Sequence, residues 1–405
     1  MTMKLRLDDV KQAQNNIKEV VRRTPLVYSS TFTKLTGYNV YIKCENKQKT
    51  GAFKLRGAYN KIVSLSEEER KKGVIASSAG NHAQGVAYAA SAFGINSTIV
   101  MPATAPLAKV NATKGYGANV IQCGEVYDEC YIKALQTQKE NGYTFIHPFD
   151  DEQVIAGQGT IGLEILEDID NVDAIVVPVG GGGLISGIAL AAKSIKPNVK
   201  IIGVQPSIIA SSKESLDKGK IVTLPGVKSL ADGISVSTPG KITFEYMSKY
   251  VDDIVTVSED EIAYSVFCLL ERGKLLAEGA GAAAMAAILS DKINIKGKNI
   301  VSLISGGNID IATVSKIIDR ELIRLKRRLR FLVEIKDRVG QLSGIINEIV
   351  SMGGNVVKLR QDTNWNKKGL DYVNVMFEIE LQTVEQSKEL IDNLKEKGYK
   401  LEILS

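Results

Sequence analysis

The chain has 405 residues, 44% hydrophobic and 24% charged, which gives two or three globular domains enough core and leaves no case for disorder. With only two histidines and four scattered cysteines, the residues argue against a disulfide framework, histidine-rich metal sites and most serine–histidine–aspartate arrangements. The net charge of +5 comes without any basic patch interleaved with aromatics, so no nucleic-acid partner is expected, and no apolar run reaches the roughly 20 residues of a membrane span.

In chain order, the start MTMKLRLDDV lacks the apolar core of a signal peptide, so a cytoplasmic location is expected, with no membrane partner. LDDVKQAQNNIKEVV then places Val10, Ala13, Ile17 and Val20 on one helical stripe that ends before Pro25. TGAFKLRGA, residues 50–58, seats Lys54 between Phe53 and Leu55 in a glycine-bracketed turn. Such a lysine is either a solvated charge with a packed stem or an amine whose pKa is lowered for nucleophilic work. Short β-branched runs next alternate with helical segments: VIASSAGNHAQGVAYAASAFG, STIVMP, NVIQC, AIVVPVGGGGLISGIALAAKS, KIIGVQP and NIVSLISGGN. This alternation predicts parallel sheets covered by helices, with ligands in the crevice beyond the strand carboxyl ends. EGAGAAAMAAI reads as a tightly packed buried helix. In KIIDRELIRLKRRLR, residues 316–330, Ile318, Leu322, Leu325 and Leu329 recur at helical spacing and make the basic residues a solvated face. Residues 331–405 then read strand, helix, strand, strand, helix, strand, a ferredoxin-like βαββαβ unit.

Three loops carry chemistry. In VVPVGGGGLISG, four glycines between a strand and a helix let backbone approach a ligand, and the helix N-terminus offers unpaired N–H donors to a phosphate. A Walker A loop fails because Gly187 is followed by Ile188, and a dinucleotide fingerprint fails because Ile185 and Ser186 stand where its third glycine belongs. A cofactor with a single phosphate remains, and pyridoxal phosphate uses a lysine for its Schiff base. SSAGNHAQG, residues 77–85, is suited to cradle a substrate carboxylate, with His82 either structural or catalytic. SGGN, residues 305–308, puts the Ser305 hydroxyl where it could meet a ring nitrogen.

With YIKCENKQKTGAFKLRGAYNKI, SSAGNHAQGVA, HPFDDEQVIAGQGTIGLEI, PVGGGGLISG, AEGAGA and SGGN in one order, the chain resembles the threonine dehydratase (threonine ammonia-lyase) family. That resemblance implies an α/β protein of pyridoxal-phosphate fold type II, the tryptophan-synthase-β fold, with two parallel-sheet subdomains. The catalytic domain would span 1–315, with a small subdomain over roughly 48–150, then a linker helix over 316–330 and an ACT regulatory domain over 331–405. Lys54 would hold pyridoxal 5'-phosphate and act as the base. Phe53 would pack on the ring, Asn81 would bond its hydroxyl and Ser305 its nitrogen, while Gly180, Gly181, Gly182, Gly183 and Leu184 would bind the phosphate. Ser78, Ala79, Gly80, Asn81 and His82 would hold the substrate carboxylate, and Glu278 would order the ring side. The implied reaction is β-elimination of L-threonine to 2-oxobutanoate and ammonia, with L-serine as a second substrate.

Related racemases place a serine where this chain has Ala79, so elimination is expected over racemisation. Gln205 and Ser211 stand where other relatives have metal-binding carboxylates, so no metal is expected there. Serine dehydratase, serine racemase and a non-catalytic amino-acid sensor are the alternatives. The ACT domain implies a homo-oligomer, dimer or tetramer, and an amino-acid effector, isoleucine or valine.

Overall fold

The β-branched runs of the first three hundred residues pair into two sheets, one interrupting the other. These come from a computed structural model that describes residues 3–125, 127–362 and 371–404, so the expected outer boundaries at 1 and 405 lie outside the described residues. Strands β1 (Leu26–Tyr28) and β2 (Asn39–Cys44) open the first sheet. The chain then leaves it for β3 (Val74–Ser77), β4 (Ser97–Met101), β5 (Asn119–Gln122) and β6 (Thr144–Phe145), a parallel sheet in the order β5-β4-β3-β6. It returns with β7 (Ala174–Pro178), β8 (Lys200–Pro206), β9 (Asp253–Val257) and β10 (Asn299–Ile304), completing the order β1-β2-β10-β7-β8-β9. Only β1 runs antiparallel in that sheet.

The central strands of both sheets are buried on both faces, which is why they read as continuous apolar runs and not as alternation. β4 and β7 are buried along their whole length. The helix Gly279–Leu289 is buried from Gly279 to Ile288, its alanines and glycines letting backbone approach backbone. A side chain at Gly281 would run into the Gly306 carbonyl. The first helix, Leu7–Ile17, buries Val10, Ala13 and Ile17, but stops short of Val20. Val20 and Val21 both turn their amides onto the Ile17 carbonyl, which ends the helix there. Among the described residues no helix is long and apolar enough to cross a membrane.

Residues 1–309 form one compact unit and 310–405 a second. In the second, β11 (Arg328–Lys336), β12 (Asn355–Asp362), β13 (Tyr372–Glu380) and β14 (Lys400–Ile403) pair antiparallel in the order β12-β13-β11-β14. Helices Gln341–Ser351 and Val384–Glu396 complete a βαββαβ unit. Leu329, Phe331, Val333 and Ile335 alternate into its core, where Phe331 stacks on Phe377 at 5.2 Å. The helix before it runs over Ile311–Arg324 and buries Val314, Ile317 and Glu321, in place of the stripe expected over 316–330. Leu325 caps it, Lys326 turns left-handed (φ 55°), and Leu329 already belongs to β11. Arg328, read as helical, pairs with Asp319, Glu378 and Glu380, and its strand partners favour extension. Apolar residues that straddle a helix end and a strand start can mimic a helical stripe.

Candidate active site

Lys54 is the first residue of the helix Lys54–Val63, and the loop ahead of it is tied to the carboxyl end of β10. The Phe53 amide donates to the Ser305 carbonyl (3.1 Å), the Gly307 amide to the Gly51 carbonyl (2.9 Å), and Ala52 bridges Gly306. Two sequence-distant loops are thereby joined as one wall. The half-buried Lys54 turns its Nζ onto the Pro148 carbonyl (2.7 Å), 5.3 Å from the Phe53 ring centre. Removal from water lowers its pKa to about 8, opposed by Glu278. The sequence left open a solvated charge or an activated amine, and the lowered pKa favours the second.

The glycine loop joins β7 to the helix Gly183–Ile195. Its carbonyls are drawn into the protein: Ser212 Oγ donates to Gly180 (3.0 Å), and Thr243 Oγ1 (2.6 Å) and the Gly240 amide (3.2 Å) donate to Gly181. The N–H groups of Gly180 to Leu184 donate to no backbone carbonyl among the described residues. Side chains have no room here. A Cβ on Gly181 would fall 2.5 Å from the Phe149 ring, one on Gly183 2.8 Å from the Phe149 carbonyl, and Gly182 has φ 95°. Open amides at a helix N-terminus, with every side chain removed, fit a phosphate. The buried Ser305 hydroxyl and the Lys54 amine complete a donor set that fits pyridoxal phosphate.

The asparagine loop follows β3. Ser78 Oγ accepts the Gly80 amide (3.2 Å), leaving its own hydrogen to give, and Ala79 and Gly80 are half-buried. Asn81 donates from Nδ2 to Glu278 Oε1 (2.5 Å) and accepts Asn308 Nδ2 on its Oδ1 (2.8 Å), so one amide hydrogen remains uncommitted. Glu278 is pushed up to about 7 by burial and by Asp232. His82 donates from Nε2 to the Ile146 carbonyl (2.8 Å), and its buried Nδ1 has no partner among the described residues. Its ring thus holds the chain at Ile146, while its loop position leaves the backbone for a ligand. Gln205 Oε1 accepts the Lys213 amide (2.9 Å), its buried Nε2 has no partner among the described residues, and Ser211 Oγ donates to the Val236 carbonyl (2.6 Å).

Residues 146–151 were given no role by the sequence and turn out to be central. His147 Nδ1 accepts the Phe149 and Asp150 amides (3.2 and 2.8 Å), shaping the turn that presents the Pro148 carbonyl to Lys54 and the Phe149 ring to the glycine loop. Asp150 accepts the amides of Lys241, Ile242 and Thr243, whose helix holds the Gly181 carbonyl. Asp151 caps the helix Glu152–Asp168. The signal present in the sequence was the pair of aspartates opening a helix; the partners of Asp150 lie some ninety residues away.

Both histidines of the chain grip this segment, and burial, foremost, depresses His82 to about 3 and His147 to about 4. The unfolded chain therefore takes up protons below about 6.5 that the folded chain refuses, so their stability contribution is full above that pH and is lost as pH falls toward 4. His147→Asn is expected to flatten the decline of Tm between pH 7.5 and 5; parallel curves for the two proteins would contradict this account.

A family model described as pyridoxal-phosphate dependent enzyme matches residues 17–306. The chain is 48% identical to L-threonine ammonia-lyase of Thermotoga maritima over 98% of this chain and 99% of that protein. It is 44% identical to L-threonine ammonia-lyase of Geobacter sulfurreducens over 98% of each. Among solved structures, threonine deaminase isoform 2 of Solanum lycopersicum superposes with TM-score 0.73 at 41% identity, covering 77% of this chain and 88% of that one. Maize serine racemase superposes with TM-score 0.75 at 38% identity, covering 79% and 98%.

Proposed function

The chain belongs to the pyridoxal-phosphate dependent enzyme family, and we propose that within it the protein is a threonine ammonia-lyase, converting L-threonine to 2-oxobutanoate and ammonia, with L-serine to pyruvate as a second reaction. The observation that carries this reading is agreement over nearly the whole chain, C-terminal unit included, with two proteins of that name.

Bound pyridoxal phosphate supplies an electron-accepting ring that makes the α-proton of an attached amino acid acidic. The amides of Gly180, Gly181, Gly182, Gly183 and Leu184 would hold its phosphate, Lys54 its aldehyde carbon, Phe53 one face of the ring, and Ser305 the ring nitrogen. Asn81 would give its remaining amide hydrogen to the ring hydroxyl, with Glu278 fixing the orientation of that amide. Ser78 and the backbone of Ala79, Gly80, Asn81 and His82 would take the substrate carboxylate. Lys54, with its pKa near 8, is neutral often enough at physiological pH to remove the α-proton. Ala79 offers only a methyl group where an acid would be needed to return a proton to the other face, which supports elimination over racemisation.

The sheet order of the second unit supports reading residues 331–405 as an ACT-type regulatory domain following a helical linker. Gly340, at φ 91°, opens the helix Gln341–Ser351 and leaves amides for an amino-acid carboxylate, with isoleucine or valine as effector. Such a unit supports self-association of the chain into a homo-oligomer. To regulate, the effector must bind two states of the enzyme unequally.

The test is a steady-state assay of L-threonine and L-serine with 2-oxo acid and D-serine both measured, for the full chain and for a chain ending at Ile309. The cut is placed there because the helix Ile311–Arg324 counts with the second unit. Threonine is expected to give 2-oxobutanoate in both, with a response to isoleucine or valine only in the full chain. Dominant D-serine formation would favour a racemase, and an effector response in the shortened chain would remove the regulatory reading.

A further inference from the structure

Two residues beyond Lys54, on the other side of the same helix, Arg56 enters a buried cluster that the chemistry above does not use. Its guanidinium is wholly buried and all five of its N–H groups are engaged. Nε and Nη2 donate to the two oxygens of Glu45 (2.9 and 2.8 Å), Nη1 and Nη2 to those of Glu164 (2.6 and 2.9 Å), and Nη1 also to Thr160 Oγ1 (3.1 Å). Lys43, equally buried, donates to Glu164 (2.6 Å) and to the Thr24 carbonyl (2.7 Å), and the Thr24 hydroxyl donates to Glu45. Asp168 stands at the rim, 3.9 Å from Lys43. Within the cluster two cations meet two anions.

We infer that this cluster is a positioning device for the Lys54 amine, with Arg56 as its central positioning residue. The inference rests on the reading of Lys54 as the residue that holds the cofactor and moves the α-proton. Glu45, six residues before Gly51, and Arg56, two after Lys54, bracket the segment that carries Gly51, Ala52, Phe53 and Lys54, so their double hydrogen bond closes that loop at its base. Residues two apart on a helix point about 200° away from each other, so Arg56 and Lys54 leave opposite sides of one turn. Against the helix Glu152–Asp168 the first turn makes a glycine contact: a Cβ on Gly157 would lie 2.7 Å from the Gly57 Cα and 2.6 Å from the Arg56 carbonyl. The bare backbone contact sets the separation of the two helices at this turn, and, Arg56 aside, the nearest side-chain ties across it come more than a turn after Lys54, where Asn60 Nδ2 donates to the Gln153 carbonyl (2.8 Å) and Lys61 pairs with Asp151 (2.7 Å). The planar fork of Arg56, held by carboxylates from two different elements, adds a rotational lock at the turn that carries Lys54 itself. Rotation by about 10° would move an amine about 8 Å from the axis by about 1.4 Å, and a misplacement of that size costs roughly a hundredfold in rate. Apolar residues of similar volume commonly serve stability as well as a buried ion cluster does, so stability alone gives little reason to keep four buried charges here.

The double variant Arg56→Met with Glu45→Leu removes one charge of each sign and leaves the Lys43–Glu164 pair intact. In the holoenzyme it is expected to keep Tm within a few degrees and KM for L-threonine within about threefold, while kcat falls about a hundredfold. A second readout needs no turnover: when pyridoxal phosphate is added to apoprotein, growth of the visible band should be about tenfold slower than in the native chain. Borohydride reduction of the native holoenzyme followed by peptide mapping tests the foundation, since a pyridoxyl group found on any residue but Lys54 removes both readings. With the label on Lys54, a native kcat and a native rate of band growth in the double variant would overturn this inference alone. If the double variant aggregates, Arg56→Lys, which keeps the charge and loses the fork, is judged by the same two rates.

Discussion

Lys54→Ala is expected to lower turnover of L-threonine by about four orders of magnitude and to abolish the visible absorption of the holoprotein. The amine is the group that the fold turns onto the Pro148 carbonyl, next to the Phe149 that packs on the glycine loop, and that desolvation brings to a pKa near 8. The other buried cations nearby, Lys43 and Arg56, are held by Glu164 and Glu45 and cannot be spared to replace it. Cofactor can still be retained without the lysine, because the amides of the glycine loop are backbone groups that the substitution leaves in place. The measurements are steady-state rate, the visible spectrum before and after borohydride, and phosphate content after dialysis. A rate within tenfold of native would end the assignment of Lys54, whereas loss of rate with phosphate retained is the expected pattern.

Gly181→Val is expected to weaken cofactor binding by about five- to 150-fold, the equivalent of the roughly 1–3 kcal/mol that overpacking a tight site costs. The new Cβ would stand 2.5 Å from the Phe149 ring, so either the ring or the loop must move. If the loop moves, the Thr243 and Gly240 bonds to the Gly181 carbonyl go with it and the open amides lose their common direction. If the ring moves, the turn carrying the Pro148 carbonyl shifts under the Lys54 amine. Either way the cofactor site loosens, and titration of apoprotein with pyridoxal phosphate reads the change. Gly115→Ala, in a helix with open space around it, is the control and should leave affinity unchanged. Equal affinities for Gly181→Val and the native chain would show that the loop does not carry the phosphate.

Local signals were legible in the sequence because each lies in one stretch of backbone. A β-branched run, then glycines, then a helix start is enough to expose amides at a strand's carboxyl end, and the loops at 180–184, 77–85 and 305–308 were found in this way. The alternation in 331–405 likewise fixed four strands and two helices, since a strand with one buried face must alternate. The helix expected over 316–330 was misread for the same reason that others succeeded: spacing reports periodicity, and it cannot see that Arg328 has carboxylate partners on β13 that draw it into a strand.

By itself the sequence determined the fold class, and it pointed to a division of the chain and to residue types for a candidate site, because those signals depend on near neighbours along the chain. Tertiary structure alone decided which of those residues are chemically changed and by what. The lowered pKa of Lys54 comes from burial that no neighbour in TGAFKLRGA announces. The commitment of Asn81 to Glu278 spans 197 residues, and that of Arg56 to Glu164 spans 108. The roles of His82 and His147 follow from which carbonyl and which amides they happen to face. Contacts of this range leave no spacing in one sequence, since a side chain's partner is fixed by the packing of whole elements and its charge state by the water that packing removes.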